Sequence, residues 1–331
     1  MPPAKAWRKR RRWGRLTIPC RLAGLIVAAG CAPQQSALHP AGQQAAEVAR
    51  LFGIMAAAGT LIWLIVLGSA LYAVVGRNRP TTERFADRFI LFGGVIFPTL
   101  ALAALLTFGL RLLPAWTADQ PPDLRVHISA EQFWWRITYE TPDGALIESA
   151  NEVHLPARSV VEFVITSPDV IHSFWIPALG GKMDAIPGRT NVLRLTPTDP
   201  GTYRGVCAEY CGLSHALMAF VVQVDPPDDF AGWLRAESRP ATADPAPFLR
   251  AGCAACHTIR GVMERGRVGP DLTHLASRQT LGAGTLPLTA TALRHWLRAT
   301  DAIKPDVHMP AYAMLPDAEV DALVAALMRL R

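Results

Sequence analysis

The stretch CAEYCGLSHALM, Cys207–Met218, places two thiols, one imidazole and one thioether in a single short segment. Soft thiolate and thioether ligands combined with imidazole select copper. A site that binds one copper ion for electron transfer uses one Cys, two His and a weak axial Met. The second Cys of this segment lets two thiolates bridge two copper ions, so that one shared electron changes the geometry little. The segment therefore predicts a two-copper electron-transfer site built from Cys207, Cys211, His215 and Met218.

A second imidazole ligand has to come from elsewhere in the chain. The upstream segment DVIHSF, Asp169–Phe174, offers His172 at the edge of a strand-like run. Two other kinds of site remain open for Cys207 and Cys211. A disulfide is the ordinary fate of paired cysteines in an oxidising compartment, although it leaves the neighbouring imidazole and thioether unexplained. Zinc accepts Cys and His ligands but has little use for a thioether.

Short β-type runs separated by turn residues surround both copper segments. The runs are Leu124–Ser129, Phe133–Tyr139, Val160–Thr166, Asn191–Thr196 and Ala219–Val224. Short strands at this spacing, with Pro-Asp-Gly and Pro-Gly turns between them, favour a β-sandwich or barrel. His127 and His154 lie in this part of the chain, and we expect them to be surface or structural histidines.

A second chemistry-bearing motif, CAACH at Cys253–His257, has the C-x-x-C-H spacing of covalent haem attachment. Both thiols can add to the vinyl groups of one haem, and the adjacent imidazole is placed to ligate the iron. A thioredoxin-like dithiol would instead need a strand followed by a helix, which the surrounding sequence does not offer. The motif predicts one covalent haem c, held by Cys253, Cys256 and His257.

The sixth iron ligand should be a downstream Met or His, and methionine raises the reduction potential. We expect Met309, because the segment Lys304–Pro310 is similar to the methionine loop of small cytochromes c. Met314 is the alternative ligand, and Met328 is expected in the core. Trp296 is placed either to reach a haem propionate or to fill the core of a helix.

Proline marks a boundary between the two motifs. Asp225–Pro227 and Arg239–Pro247 interrupt any regular pattern and predict a linker. Beyond it, Thr291–Arg298 and Asp317–Leu330 have helix-compatible spacing. The sequence thus predicts an all-β domain followed by a small all-α domain.

Two long uncharged runs, Leu51–Gly76 and Phe89–Leu110, precede the β-rich part. A helix needs about 20 apolar residues to cross the hydrocarbon core of a membrane, and both runs are long enough. A buried helix of a soluble protein would show a polar face, and neither run has one. We predict a hairpin of two membrane-spanning helices.

The formal net charge of +6 is concentrated at the N-terminus, where residues 1–30 carry eight basic residues and no acidic one. The other 25 basic and 27 acidic residues nearly cancel, which argues against a nucleic-acid partner. Basic residues, the apolar stretch Leu22–Val27 and the small residues Ala28–Gly30 resemble a bacterial secretory signal. Cys31 follows directly, as at a lipoprotein cleavage site, and is expected to be lipidated. The alternative is an incidental thiol, because Ala28 stands where such sites prefer leucine and Arg21 lies beside the apolar stretch.

The orientation in the membrane follows from the loop between the two helices. Arg77, Arg79, Arg84 and Arg88 lie within this short loop, and positively charged loops stay cytoplasmic. Everything after Arg111 is therefore expected outside a bacterial cell membrane, in the periplasm or its equivalent.

The two copper segments resemble a known family. Asp169–Asn191 and Cys207–Met218 are similar to the two signature stretches of cytochrome c oxidase subunit II, and with the helical hairpin the resemblance covers most of Cys31 to about Asp225. The resemblance implies a cupredoxin fold that holds the dinuclear copper centre CuA. The implied ligands are His172, Cys207, Cys211, His215, Met218 and the backbone carbonyl of Glu209. It also implies a magnesium ion at the interface with subunit I, bound by the side chain of Glu209 with Asp184 nearby.

Two departures from the family concern the path of electrons and of protons. The aromatic patch at which electrons enter usually begins with tryptophan after Gln, whereas this chain has Phe133 followed by Trp134 and Trp135. The point at which electrons enter is therefore expected to differ, in keeping with a tethered donor. The family also often has a glutamate near the cytoplasmic end of the second helix. This chain has none there, and neither Glu83 nor Asp87 is assigned to that proton path.

Together the features resemble the caa3-type arrangement, in which a subunit II carries its own cytochrome c domain. The resemblance implies that electrons pass from a cytochrome c or another respiratory donor to the haem c, then to CuA, then to haem a of subunit I. Oxygen reduction and proton pumping would reside in the assembled complex, with subunit I and subunit III as partners. The expected domains are a signal segment at 1–30, an N-terminal segment and hairpin at 31–115, a cupredoxin domain at 116–238, and a linker with a class I cytochrome c domain at 239–331.

Other classes of protein share some of these features. A freestanding electron carrier would have the same motifs but no larger haem–copper partner. A copper-delivery or storage protein would need exchangeable metal, which a site with two thiolates and two imidazoles does not favour. Nitrous oxide reductase has a CuA domain without this hairpin and haem domain, and related quinol oxidase subunits lack the copper ligands.

Overall fold

The computed structural model describes residues 33–76, 82–116, 121–141 and 143–331, and the side chains of residues 112–116 are not described. The predicted signal segment, Cys31, Arg77 and Arg79 lie outside these residues. Among the described residues, the chain forms a helical hairpin, a β-sandwich and a small helical domain.

Two long helices form the predicted hairpin. Helix α1 spans Gln43–Val75, and the second arm comprises α2, Glu83–Ile90, a π-helical turn, Leu91–Ile96, and α3, Phe97–Trp116. Both arms contain windows long and apolar enough to cross a membrane, and none of the residues in these windows is buried within the chain. Helices that are apolar all round and unburied by their own chain fit a lipid environment. The prediction of two spanning helices is confirmed.

Two five-stranded sheets pack face to face between the hairpin and the C-terminal domain. The strands are β1 Leu124–Glu131, β2 Trp134–Glu140, β3 Leu146–Ala150, β4 Glu152–Pro156, β5 Val161–Thr166, β6 His172–Trp175, β7 Met183–Ala185, β8 Asn191–Leu195, β9 Gly201–Cys207 and β10 Ala219–Asp225. One sheet has the order β3-β2-β1-β5-β8 and the other β4-β10-β9-β6-β7. The pairs β1–β5 and β4–β10 are parallel and the other pairs are antiparallel. The predicted all-β cupredoxin-like domain is confirmed, and all five predicted runs are strands.

Alternating burial along the strands produces the sandwich core. Residues of β1 and β2 are alternately buried and half-buried, as expected for strands with one face on a core. Phe174 stacks on Phe220 with ring centroids 4.8 Å apart, and Trp135 meets both rings edge-on. Gly205 is required beneath them, because a Cβ there would lie 2.0 Å from the Phe220 ring.

A short segment before α1 is fixed to the sandwich. The N–H of Ala41 donates to the carbonyl of Ala178 at 2.7 Å, and the Gln44 side chain accepts from the N–H of Thr196 at 3.0 Å. Ala41 and Gln44 are both buried. The first turn of the membrane hairpin is therefore anchored to the β-domain, which the sequence alone did not indicate.

A helix and the proline-rich segment lead from the sandwich to the C-terminal domain. Helix α4, Pro227–Glu237, packs Phe230 and Trp233 against Tyr139 of the sandwich. The proline-rich segment, predicted as a linker, is hydrogen-bonded: the N–H of Ala241 donates to the carbonyl of Arg260 at 2.9 Å. The segment is thus fixed against the C-terminal domain.

The C-terminal domain is small and mainly helical, as predicted. It contains α5 Ala246–Arg250, the strand pair β11 Thr280–Leu281 and β12 Leu286–Pro287, α6 Ala290–Arg298, α7 Thr300–Ile303 and α8 Asp317–Leu327. Thr289 caps α6 by accepting from the N–H of Ala292. Phe248, Trp296, Leu323 and other apolar side chains form a second core, separate from that of the sandwich.

Candidate metal centre and haem crevice

The copper loop, which we define as Cys207–Met218, connects two adjacent strands of one sheet. Strand β9 ends at Cys207, a 3₁₀ turn spans His215–Leu217, and β10 begins at Ala219. The N–H of Cys207 donates to the carbonyl of Met218 at 2.9 Å and closes the loop at its base. Because the antiparallel pair continues from this bond, the loop is supported by the whole sheet.

All six predicted CuA ligand groups come together in this loop and the neighbouring strand. The sulfur atoms of Cys207 and Cys211 lie 3.9 Å apart and are not bonded. The remaining ligand distances are 3.8 Å from His172 Nδ1 to the Cys207 sulfur, 3.6 Å from His215 Nδ1 to the Cys211 sulfur, 3.8 Å from Met218 Sδ to the Cys211 sulfur, and 3.2 Å from the Glu209 carbonyl oxygen to the Cys207 sulfur. These donors surround a small space between the two sulfur atoms.

The charges around the cluster favour a thiolate before any metal binds. Hydrogen bonds from the Cys211 thiol and from His172 outweigh burial and lower the pKa of Cys207 to about 3. The same interaction between the two thiols, together with burial, raises the pKa of Cys211. Burial lowers the pKa of His172, but the hydrogen bond to Asp169 and the Cys207 thiolate outweigh it and raise the pKa to about 9.

The donor set fits copper. It combines two thiol sulfurs, two imidazole Nδ1 atoms and a thioether, the soft and borderline ligands that copper prefers. His172 is fully buried, and Cys207, Cys211 and Met218 are less than a tenth exposed. A metal bound by these donors would be largely shielded from water, with His215 as the half-buried ligand.

The side chain expected from the family resemblance to bind magnesium lies at the surface. The Glu209 carboxylate is exposed, and Asp184 is half-buried on β7. Among the described residues, the one group of at least three His, Cys, Asp or Glu side chains with metal-ligand spacing is His172, Cys207 and Cys211. The described part of the chain therefore does not by itself assemble a magnesium site of this kind around Glu209.

The haem attachment motif forms the floor of an apolar crevice in the C-terminal domain. Cys253–Ala255 form a 3₁₀ turn, and the N–H of His257 donates to the carbonyl of Cys253 at 2.9 Å. His257 Nδ1 donates to the carbonyl of Pro270 at 2.7 Å, because a carbonyl can only accept. This bond leaves Nε2 unprotonated and free to ligate a metal, and burial lowers the pKa of His257.

The walls of the crevice fit a haem. They include both thiols of the motif, the half-buried Met309 and the aromatic side chains of Phe248 and Trp296. Met314 does not line the crevice and is 77% exposed. The donor set and the apolar walls match a covalently attached haem with Met309 within its pocket.

Part of the crevice wall comes from the β-sandwich. Gln132, Phe133 and Trp134, which lie at the β1–β2 turn, face the same cavity as the haem motif. The Gln132 side chain also donates from Nε2 to the carbonyl of Cys211 at 2.6 Å. Phe133 and Trp135 are buried, and Trp134 is half-buried under the Arg136 guanidinium, which lies 4.7 Å from its ring centroid.

Three side chains near the two sites were not singled out by sequence reasoning. Asp169 contacts His172, Gln132 contacts the copper loop, and Lys304 is buried at the boundary between the domains. A carboxylate three residues before a predicted ligand was a usable signal for Asp169. No sequence signal separated the buried Lys304 from the exposed Lys182.

Comparisons with known proteins agree with this architecture. A family model described as cytochrome c oxidase subunit II, periplasmic domain, matches residues 126–225, and a cytochrome c model matches residues 246–330. Cytochrome c oxidase subunit 2 of Alkalihalophilus pseudofirmus is 33% identical over 229 residues, which cover 65% of this chain and 65% of the relative. The alignment thus spans slightly less than two thirds of that protein.

A longer match extends over nearly the whole chain. Cytochrome c oxidase subunit 2 of Bacillus subtilis is 30% identical over an alignment of 356 residues, covering 96% of this chain and 98% of the relative. The crystal structure of the periplasmic domain of subunit II of cytochrome oxidase from Bradyrhizobium japonicum is 30% identical, with a TM-score of 0.34. It covers 36% of this chain and 95% of that chain.

Proposed function

Because this chain belongs to the cytochrome c oxidase subunit II family, we propose that it relays single electrons from a respiratory donor to the oxygen-reducing subunit of a haem–copper oxidase. When bound, a haem and a copper pair would each take up and release one electron at a time. The protein's own task is to hold the two groups close together, in fixed orientations and away from water. The chain itself is a relay, and oxygen would be reduced in the partner subunit.

One observation carries this proposal. The haem crevice and the copper loop share a wall, since Phe133 lines the crevice while the preceding Gln132 donates to the carbonyl of Cys211. A short route through one side chain and one hydrogen bond thus joins the two sites. This short separation between the haem crevice and the copper loop is what electron transfer between the two sites would require.

The copper loop and His172 would hold the two copper ions together. Cys207 and Cys211 would bind them through their sulfur atoms, and His172 and His215 through Nδ1. Met218 and the carbonyl of Glu209 would be the weaker ligands. The backbone hydrogen bond between Cys207 and Met218 closes the loop at its base. A loop held in this way would keep the change in ligand geometry small when an electron is gained or lost, and rapid electron transfer needs that.

The residues of the crevice would hold the haem in a similar way. Cys253 and Cys256 would attach it covalently, and His257, through Nε2, and Met309 would ligate the iron. The hydrogen bond from His257 Nδ1 to Pro270 fixes the ring and its tautomer.

The position of the aromatic residues bears on where electrons enter. Phe133 is 1% exposed and Trp135 is fully buried, while Trp134 lies in the wall of the crevice. An external protein docked on the sandwich would not contact the ring of Phe133. The arrangement supports a route in which an external cytochrome c or another donor reduces the haem, and Phe133 lies on the internal path to copper.

The proposed partners follow from what lies exposed near the copper loop. Tyr210 and Leu213 are more than two thirds exposed at its tip, and the hairpin offers apolar faces of membrane-spanning length. We infer that subunit I, with subunit III, covers these surfaces in a bacterial cell membrane. The exposed Glu209 carboxylate would complete a magnesium site with ligands from subunit I, and the complex would couple oxygen reduction to proton pumping.

The proposal is tested on the full chain purified in detergent after haem and copper loading. We expect about two copper ions per haem and the EPR pattern of one electron shared over both copper nuclei. Cys207→Ala should lose copper and keep the haem, whereas His257→Ala should keep copper and lose the normal haem spectrum. Electrons injected at the haem should then appear at copper.

The outcomes separate the relay from other functions. Copper that binds singly or exchanges freely with a chelator would indicate a delivery or storage protein and contradict the proposal. A chain that relays electrons but never co-purifies with a larger haem–copper subunit would be a freestanding carrier instead.

A further inference from the structure

Lys304 is buried at the boundary between the cytochrome domain and the copper loop. The residue is 2% exposed, and its Nζ donates to three backbone carbonyls. Two of the acceptors belong to the sandwich, the carbonyl of Phe133 at 2.7 Å and that of Leu217 at 2.9 Å. The third, Gly282 at 2.7 Å, belongs to the cytochrome domain. One side chain thus ties together the crevice wall, the copper loop and a turn of its own domain.

Burying a lysine side chain is energetically unfavourable, which indicates that Lys304 has a role in positioning the groups around it. Lysine is almost never fully buried without partners, because its amine loses favourable hydration. The three acceptors match the three N–H donors that an ammonium group offers. Without Lys304, all three carbonyls would lose this donor, and among the described residues those of Leu217 and Gly282 would have only the single hydroxyl of Thr285 to share. A buried acceptor left without a donor destabilises the packing around it.

A strained turn packs on the same part of the copper loop. Gly282, Ala283 and Gly284 all have positive φ angles, of 64°, 60° and 77°. Alanine rarely adopts this conformation, and Ala283 is nevertheless 1% exposed. Its carbonyl accepts from the N–H of Ala219 at 3.0 Å, directly after the predicted ligand Met218. The turn is therefore shaped to the strand that leaves the copper loop.

Side-chain hydrogen bonds add to this contact from both domains. Ser214, which is fully buried within the copper loop, donates from Oγ to the carbonyl of Pro305. Thr285 donates from Oγ1 to the carbonyl of Gly282 at 2.6 Å, and the same hydroxyl lies 3.4 Å from the carbonyl of Leu217. The cytochrome domain therefore contacts the copper loop itself, at several points spread between its ligand positions.

We propose that Lys304 is a positioning residue that locks the cytochrome domain onto the copper loop in one orientation, so that the domain stays docked during turnover. The consequence for electron transfer rests on the proposed relay function, whereas the docking itself does not. In this arrangement the distance between the haem crevice and the copper loop is set by Phe133, Leu217 and Gly282. The proline-rich segment connects the domains without acting as a swinging tether.

The first test uses the unmodified full chain and its two lysines in the described residues. Lys182 is exposed and Lys304 is buried. A short pulse of an amine-acylating reagent, followed by mass spectrometry, compares their labelling rates in the oxidised and reduced protein. If the domain stays docked, Lys304 reacts on the order of 50-fold more slowly than Lys182 in both states, since its reaction requires local opening. Labelling of Lys304 within a few-fold of Lys182 overturns the proposal.

The second test perturbs the dock with matched controls. Lys304→Met is compared with Lys182→Met, which makes the same change at an exposed position. Gly284→Ala is compared with Gly144→Ala, since both glycines have a positive φ angle. An added Cβ at Gly284 would lie 3.1 Å from the Cβ of Ala219 in the sandwich, whereas one at Gly144 would have no atom within 4 Å. We expect Lys304→Met to slow electron transfer from haem to copper by roughly 10-fold or more, because a small displacement of the cytochrome domain lowers the transfer rate strongly. The haem and copper contents should be unchanged. Gly284→Ala should raise the labelling rate of Lys304, and Gly144→Ala should not.

The outcomes keep the two proposals apart. A wild-type electron-transfer rate in Lys304→Met overturns the role of Lys304. Failure of the unmodified chain to bind copper or haem contradicts the relay function, while the labelling of Lys304 still decides whether the domain is docked.

Discussion

Oδ1 of Asp169 lies 2.8 Å from Nε2 of His172, and the other ring nitrogen of this histidine faces the sulfur of Cys207. The carboxylate is itself held by the backbone N–H groups of Gln132 and Val170, at 2.7 Å and 2.6 Å. Burial opposes its charge, but these hydrogen bonds and that from His172 lower the pKa of Asp169 to about 2. The ring of His172 is thus oriented for a metal by a carboxylate that stays ionised.

This relationship predicts that Asp169 contributes to copper affinity without touching copper. Asp169→Ala should weaken copper binding by about 10–100-fold, the usual effect of removing a partner that orients a ligand. Asp169→Asn should lose less, since its amide oxygen still accepts from Nε2. The affinity is measured by competition with a copper chelator, and Asp199→Ala at an exposed position is the control. Unchanged affinity in Asp169→Ala would mean that the strand alone orients His172.

Gly269 allows a loop to pass directly over the imidazole of the predicted haem ligand. A Cβ at this position would lie 2.5 Å from Cε1 and 2.8 Å from Nδ1 of His257. Gly269→Ala should therefore displace the ring, so that haem remains attached through the cysteines while its axial ligation by His257 weakens. Optical and EPR spectra should show a change of spin state. Gly181→Ala, where no atom lies within 4 Å of the added Cβ, is the matched control and should leave the spectra unchanged.

Glu162 joins three strands on the outer face of the sandwich. It accepts from Arg125 Nε at 2.9 Å and from Arg194 Nε at 2.8 Å. Burial opposes the charge, but the hydrogen bonds from these two guanidinium groups hold the pKa of Glu162 below its usual value of 4.5. A carboxylate with a lowered pKa stabilises the fold fully above its unfolded pKa, and this contribution is lost as the pH falls through the lowered value.

Glu162→Gln should therefore destabilise the sandwich by about 2 kcal/mol at neutral pH, the typical worth of hydrogen bonds to a charged group. The difference from the unmodified chain should shrink as the pH falls from about 4.5 through the lowered pKa. Denaturant unfolding followed by tryptophan fluorescence measures this, with the exposed Glu319→Gln as the control. A difference that does not depend on pH would show that packing, and not charge, holds these strands.

The features that could be predicted from the sequence all depend on residues that lie close together along the chain. The thiols, imidazole and thioether of Cys207–Met218 lie on one loop, and the haem motif occupies five consecutive residues. Ligand chemistry therefore indicated both sites before any fold was known. The strands around the copper loop were also readable, because turn residues bound each short β-type run.

The features that the sequence did not predict depend on contacts between distant segments. Lys304 and the carbonyl of Phe133 are 171 residues apart, and Gln44 and the N–H of Thr196 are 152 apart. Nothing local distinguishes Lys304 from a surface lysine, which is the usual fate of this residue. The linker was predicted from prolines, which restrict local conformation but do not indicate whether distant hydrogen bonds fix the segment.

Met309 and Met314 provide a direct test of the haem pocket, because they differ in placement and not in chemistry. Met309 is half-buried and lines the crevice, whereas Met314 is 77% exposed and lies outside it. A methionine ligand raises the haem potential, so Met309→Leu should lower the reduction potential and change the spin state of the iron. Met314→Leu, the same substitution five residues away, should change neither. A redox titration followed by the haem absorption bands measures both variants, and the reverse result would assign the ligand to Met314 and require the crevice loop to rearrange.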